Sequence, residues 1–256
     1  AYRDVLVSSR QWGLLIRSVG LALAVALGAT ILGASAGFAL ERVSRRLRTP
    51  LLFLLTMPVV IPQHIMAIAW VDVLGRSGYL SRLVQIALPG APPAPSPFNL
   101  AGALFILTLT MFPIPMLATV AGMRRFDTRF IEAARLAGQT RRAFRFVTLP
   151  LVLPTILTGS LVVFALTTST FAVPSLLQVN TYSVDIHASS LTFDYGSAAA
   201  QSLPMIAVCA IALGAWSRYV RPRHAWLSGP ARAAIVPSAT GTAALPTFYL
   251  FAVACA

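Results

Sequence analysis

Five long apolar runs divide this chain, and short arginine-bearing stretches separate them. The runs are Gly13–Leu40 (uncharged from Ser18), Leu51–Val71, Leu100–Met123, Thr155–Leu177 and Ala198–Ser217. Each reaches the ~20 mostly apolar residues that a helix needs to cross a bilayer. A sixth run, Ala233–Ala256, is uncharged but holds Pro237, Gly241 and Pro246. It reads either as a poor span or as the first turns of a further membrane unit. The pattern predicts an all-α, polytopic transmembrane bundle of five spans plus the start of a sixth. Pro58 and Pro62 in the second span, and Pro113 and Pro115 in the third, remove backbone donors and predict kinks.

The pattern changes between the third and fourth runs. From Asp127 to Pro150 the chain is polar, and Phe130, Ala133, Ala134 and Ala137 fall at i, i+3, i+4, i+7, one face of a helix. Glu132 and Arg135 lie on the opposite face, and Gly138 is placed to end that helix in the left-handed conformation. Thr140 then caps a second short helix, which Leu149-Pro150 terminates. The expectation is a polar two-helix elbow between membrane spans.

Composition agrees with the membrane reading. Only 11% of residues are charged and 57% are hydrophobic, with a mean hydropathy of +0.77, whereas soluble chains carry about 25% charged residues. All 20 basic residues are arginine. The lack of lysine excludes a phosphate-binding loop, whose mechanism needs one on the β/γ-phosphates. Any ATP used with this protein is therefore hydrolysed by another chain. The net charge of +13 does not mark a nucleic-acid binder, because the arginines sit in short loops between apolar runs. Cys209 and Cys255 lie inside apolar runs and suggest neither a disulfide framework nor a metal cluster.

Arginine bias also orients the spans. Four arginines lie in Glu41–Thr49, seven in Arg124–Arg145 and four in Arg218–Arg232, against Arg3, Arg10, Arg17, Arg76 and Arg82 on the other side. By the positive-inside rule the elbow is cytoplasmic and the N-terminus lies outside. Trp12, Trp70 and Trp216 near span ends fit interfacial positions. The outer loops are then Arg76–Asn99, with a stiff proline-rich stretch at Pro89–Pro97, and Gln178–Gly196, which carries Asp185, His187 and Asp194 but no arginine.

Some positions within the spans are candidates to line a path. Thr167, Thr168, Ser169 and Thr170 are consecutive and cover every face of the fourth helix, so at least one points into the bundle; Phe171 and Pro174 follow. Hydroxyls at such depth either bond their own or a neighbouring helix or face water. Pro58, Pro62 and His64 in the second span are further path candidates. His64 lies about 12 Å along the helix from Asp72, too far for a direct pair, and can equally be a satisfied structural histidine. The sequence contains no metal-ligand spacing and no nucleophile–base signature.

The elbow resembles a known family. Glu132-Ala133-Ala134, Gly138 and Val147-Thr148-Leu149-Pro150 are similar to the EAA signature of the membrane subunits of binding-protein-dependent ABC importers. Leu151-Val152-Leu153-Pro154, Phe171-Ala172-Val173-Pro174-Ser175-Leu176-Leu177, Pro58-Val59-Val60-Ile61-Pro62 and Asp194-Tyr195-Gly196-Ser197-Ala198-Ala199-Ala200 resemble the iron(III)-type branch of that family. The similarity runs from about Gly13 to Trp216. It departs from the family pattern in two places. Eight residues separate Gly138 from Val147, one fewer than is usual, and Thr170 stands where relatives often carry an acid.

The resemblance implies a type I importer permease fold, with residues 1–232 as the transmembrane domain and 124–150 as its cytoplasmic coupling loop. Residues 233–256 would begin a further segment. The chain starts at Ala1 and ends in an apolar run at Ala256, without a cleavable signal peptide, so it reads as a trimmed piece of a longer polypeptide. It would be either the first half of a fused two-half permease or a half-size subunit that dimerises. Glu132, Ala133, Ala134, Arg135, Gly138, Leu149 and Pro150 would couple it to a cytoplasmic ATP-binding subunit, which holds the ATP and Mg; this chain itself binds no cofactor and no metal and has no catalytic residue. The other implied partners are a second permease half, an extracytoplasmic substrate-binding protein and the lipid of a bacterial inner membrane. Ferric iron is the expected cargo, with polyamine, thiamine or phosphonate as alternatives. An ion-gradient secondary transporter is the rival class, but it would want paired intramembrane carboxylates or inverted repeats. An intramembrane enzyme lacks a catalytic set.

Overall fold

The structure is a computed structural model, and it describes residues 8–75, 78–87, 96–124, 146 and 148–227. Those residues are helical with short connections, and no strand occurs among them. The helices are α1 (Ser9–Leu40), α2 (Arg45–Val60), α3 (Gln63–Leu74), α4 (Tyr79–Ala87), α5 (Leu100–Met111), α6 (Pro113–Arg124), α7 (Leu149–Ser169), α8 (Ala172–Leu176), α9 (Tyr182–Leu191) and α10 (Tyr195–Leu227). The chain divides into two compact units, Ala1–Trp216 and Ser217–Ala256. All the packing described below belongs to the first.

Among the described residues, four helical stretches are long and apolar enough to cross a membrane: Ser9–Leu40, Leu100–Arg124, Leu149–Ser169 and Tyr195–Arg218. The second expected span differs. Its two pieces, Arg46–Val60 and Gln63–Ala87, bend by 99° at a break and give a fifth crossing only if counted together. The cause lies in the sequence, because Pro62 has no N–H and disfavours helical geometry at Ile61 before it, whose φ and ψ are −75° and 131°. Pro58, by contrast, stays inside α2, so the first proline of the pair does not interrupt the helix. The kink expected at Pro113 is mild: a single turn residue, Phe112, joins α5 to α6, and the stretch Leu100–Arg124 counts as one span.

Three further boundaries depart from the sequence reading. The fourth span begins earlier than expected, because α7 opens at Leu149-Pro150 instead of Thr155, and the short helix expected to end there lies mostly outside the described residues. Proline is favourable in a first turn, where the missing N–H would be unpaired anyway. The fourth span does not run on to Leu177, because it stops at Ser169 and restarts as the five-residue α8. The stretches expected as outer loops contain the helices α4 and α9. The sixth run and most of the elbow, including Glu132, Ala133, Ala134, Arg135, Gly138 and Thr140, lie outside the described residues.

The core forms where α1, α6 and α7 cross, with α5 beside them. Apolar burial alone does not hold helices together in lipid, where close packing of small residues supplies much of the attraction. Here α1 presents the buried stripe Ala22, Ala26, Ala29, Gly33, Gly37 to its neighbours. A β-carbon at Gly33 would lie 2.8 Å from Met116 N and 2.8 Å from Pro115 Cγ on α6. Gly159 on α7 also packs closely, since a β-carbon there would lie 2.9 Å from Ala118 Cβ and 3.0 Å from Pro115 Cα. Pro115 is thus wedged between two glycines from two helices. We expect Gly33→Ala to destabilise the bundle by about 1–3 kcal/mol through overpacking. Thermal unfolding in detergent would measure this, and an unchanged midpoint would refute the account of the contact.

Candidate functional site

Two interrupted helices meet at one place. The last turn of α7 ends at Ser169, and Thr170 takes extended backbone with φ −71° and ψ 125°. Beside it begins α3, just past its own break at Ile61-Pro62. The Thr170 hydroxyl lies 2.8 Å from Leu166 O and 3.1 Å from Gln63 Oε1, so the two breaks are tied by a polar contact. On its other side, the Thr170 carbonyl accepts a 2.8 Å hydrogen bond from Ser183 Oγ on α9. The peptide groups released by the break therefore find side-chain partners, as they must away from water.

The next residue makes a second contact with α9. The Phe171 ring stacks on His187, with centroids 4.1 Å apart and planes 23° from parallel. A cavity of about 610 Å³ opens there, with Ser169, Phe171, Ser183, His187, Ser190 and Ser202 as its polar and aromatic lining. Ile186 and the α10 side chains Met205, Ile206 and Leu213 complete an apolar wall. Ser183, His187 and Ser190 share a face of α9 because they lie at i, i+4, i+7.

Asp185 occupies the opposite face of α9 and forms the polar knot of this end. It accepts from Arg10 Nη2 at 2.9 Å, from Gln11 Nε2 at 2.9 Å and from Gln201 Nε2 at 3.3 Å. One carboxylate therefore joins α1, α9 and α10. The backbone N–H of Tyr182 adds a bond of 2.7 Å to Ser18 Oγ on α1. Burial, and then the Asp185 charge, push the Tyr182 phenol above its ordinary pKa, so it stays protonated. At the start of α10, the Ser197 hydroxyl and then its backbone N–H hold the Asp194 carboxyl below the usual range, with the N–H bond at 3.1 Å. This is an N-terminal cap of the ordinary kind.

The path candidates from the sequence separate into groups. Ser169, Thr170 and Phe171 lie at the break, with Ser169 and Phe171 on the cavity. Thr168 is buried and donates to Phe164 O of its own helix at 2.7 Å, a structural role. Thr167 is buried and its hydroxyl has no hydrogen-bond partner. Pro58 lies within α2, while Pro62 makes the break that positions Gln63. His64 is exposed on the first turn of α3 and does not line the cavity. Gln63, Ser183, Ser190 and Ser202 were not among the sequence candidates. The Ser183–His187–Ser190 spacing was the available signal, hidden in a stretch read as a loop.

With this geometry in place, the comparisons identify the class. The chain belongs to the family described as binding-protein-dependent transport system inner membrane component, whose model matches residues 29–225. Among curated relatives, it is 24% identical over 185 residues to the inner membrane ABC transporter permease protein YdcU of Escherichia coli (strain K12). That match covers 67% of this chain and 59% of the relative. It is 29% identical over 218 residues to the molybdenum transport system permease protein ModB of Mycobacterium tuberculosis (strain ATCC 25618 / H37Rv), covering 82% of this chain and 80% of ModB. The fold is similar to a chain of a bacterial ABC transporter involved in the import of the acidic polysaccharide alginate, with a TM-score of 0.72 at 15% identity over 86% of this chain and 82% of that one. It is also similar to a chain of the MetNI methionine ABC transporter in an inward-facing conformation, with a TM-score of 0.63 at 17% identity over 84% of this chain and 99% of that one.

The knot at Asp185 predicts a measurable loss. Asp185→Ala leaves two amides and a guanidinium without their shared acceptor, and should cost about 1–3 kcal/mol. Thermal unfolding in detergent, with Arg10→Ala for comparison, would detect it. If both variants matched the parent, the knot would not be holding α1, α9 and α10 together.

Proposed function

We propose that this chain is one translocation half of an ATP-driven importer in a bacterial inner membrane, passing cargo from an extracytoplasmic binding protein to the cytoplasm. The observation that carries the reading is the family match over residues 29–225, which includes the EAA-like stretch Glu132-Ala133-Ala134…Gly138. Two physical features support it. First, the absence of lysine rules out a phosphate-binding loop in the chain, so ATP and Mg belong to a partner subunit. Second, the exposed surfaces of the bundle differ in kind. The α1 face bearing Ile16, Leu23, Leu27 and Ile31 is apolar and suits lipid, whereas the cavity beside Thr170 carries hydroxyls and an imidazole. Polar groups at membrane depth favour a protein seam or a water-filled passage over hydrocarbon. A second permease half, fused or separate, would close that side.

Coupling would run through the elbow. Glu132, Ala133, Ala134, Arg135 and Gly138 dock on the ATP-binding subunit, with the alanines allowing close approach and the charged edge pairing across the contact. Leu149 and Pro150, which open α7, then carry the displacement to the Thr170 break at the other end of the same helix. The arginine bias of the loops supports a cytoplasmic elbow.

Ferric iron, expected from the branch resemblance, gains no support. The relatives above are named for molybdenum, alginate and methionine, and no group of three His, Cys, Asp or Glu suited to a metal ion occurs among the described residues.

Gly138→Asp and Glu132→Arg should each abolish uptake while leaving membrane insertion and cargo-independent ATP hydrolysis intact. Accumulation in vesicles, measured beside ATPase rates and co-purification of the ATP-binding subunit, tests the reading. Normal uptake by both variants, or uptake without any ATP-binding subunit, would overturn it.

A further inference from the structure

Helices α6 and α7 run antiparallel, and each presents a glycine to the other. A β-carbon on Gly122 of α6 would collide with Thr155 Oγ1 and lie 2.9 Å from Val152 Cγ1, both on α7. In return, Gly159 of α7 faces Pro115 and Ala118 of α6. Seven residues separate Gly122 from Pro115, and seven separate Val152 from Gly159. The two contacts therefore lie about two turns apart in a single antiparallel register. Neither partner of Gly122 yields easily. Thr155 is β-branched, and its hydroxyl donates to Val152 O at 2.7 Å, which fixes its rotamer. Val152 is fully buried, so its methyl groups have nowhere to turn. The same stretch of α6 is held from α1 as well, because a β-carbon on Gly37 would lie 2.8 Å from Thr119 Cβ.

The place of the Gly122 contact in the chain gives it a role. Gly122 lies two residues before the end of α6 at Arg124, whereas Val152 and Thr155 lie in the first two turns of α7. The contact thus joins the two roots of segment 125–148, the stretch that bears Glu132-Ala133-Ala134 and Gly138. A force applied to that segment arrives at both roots. Close-packed interiors resist compression and pass strain on, so the helices cannot splay there without losing the contact. The displacement then travels along both together, through α6 to Pro115 and through α7 to the break at Thr170.

We propose that Gly122 is a positioning residue for coupling. With Val152 and Thr155 it fixes the spacing of the two roots, so that α6 and α7 move as one body when an ATP-binding subunit acts on the segment between them. The inference rests on the translocation reading above and deepens it by naming the contact that carries the motion into the bundle.

The test uses the full chain with its ATP-binding subunit in lipid nanodiscs, with Cys209 and Cys255 replaced by alanine. In G122C/T155C the two β-carbons stand 3.3 Å apart, within a few tenths of an ångström of disulfide range. The disulfide should form to the same extent without nucleotide and after trapping with ATP and vanadate. The cross-linked complex should hydrolyse ATP as fast as the same complex reduced with dithiothreitol. Separately, G122A should bind the ATP-binding subunit about tenfold more weakly. G122A/V152A/T155A, which removes the two opposing atoms, should restore that affinity. G33A, also overpacked but remote from the roots, should lower the thermal midpoint and leave the affinity unchanged. The proposal is overturned if no disulfide forms, if trapping abolishes it, or if the cross-link stops hydrolysis until it is reduced. It is equally overturned if G122A binds like the parent or if G33A weakens binding as much. Failure of the parent chain to co-purify with the ATP-binding subunit overturns the translocation reading itself, whereas any of the other outcomes in a co-purified complex overturns the role of Gly122 alone.

Discussion

The end of this bundle that carries Thr170 depends on one constraint: a helix interrupted in an apolar medium must find new partners for the peptide groups it releases. At Thr170 the partners are side chains. Ser183 donates to its carbonyl, and its hydroxyl reaches Leu166 and Gln63. Because Gln63 opens α3 and Ser183 lies in the first turn of α9, satisfying one break brings three elements to one point. The cavity is the space left beside that junction. Its polarity follows from the same chemistry, since serines that bond backbone carbonyls keep only lone pairs free.

Rigidity and freedom are distributed accordingly. The α1–α6–α7 crossing is packed through glycines that admit no β-carbon, so these three helices form the firm part of the unit. The junction at Thr170 is held by a few hydrogen bonds and one ring stack, each worth on the order of 1 kcal/mol. Contacts of that size are weak beside the glycine-packed crossing, so the break is the part of the unit suited to rearrange while the crossing stays intact. Asp185, on the far side of α9, anchors that helix to α1 and α10, which limits how far it can move with the break.

Much of the architecture was legible in the sequence. Hydropathy gave the apolar runs, and four of them correspond in order to helices long and apolar enough to cross a membrane, because that capacity depends on composition over about 20 residues and hardly at all on contacts. The EAA-like elbow stays an expectation of the sequence, since most of it lies outside the described residues. Boundaries were another matter. Pro62 and Pro58 have the same chemistry, yet only Pro62 breaks its helix, and α7 begins at Leu149-Pro150, ahead of the Thr155 that hydropathy marks. A proline states only that one donor is missing; whether the helix yields depends on what can pair with the groups it frees.

By itself, then, the sequence determined the membrane class, the number and order of apolar segments and the family signature, all of which rest on residue type and local spacing. Tertiary structure decided which of Thr167, Thr168, Ser169 and Thr170 reach a cavity, that Gln63 meets Thr170 across more than a hundred residues of chain, and that Arg10, Gln11 and Gln201 share Asp185. These are long-range pairings of polar groups, and their geometry exists only after the helices have crossed.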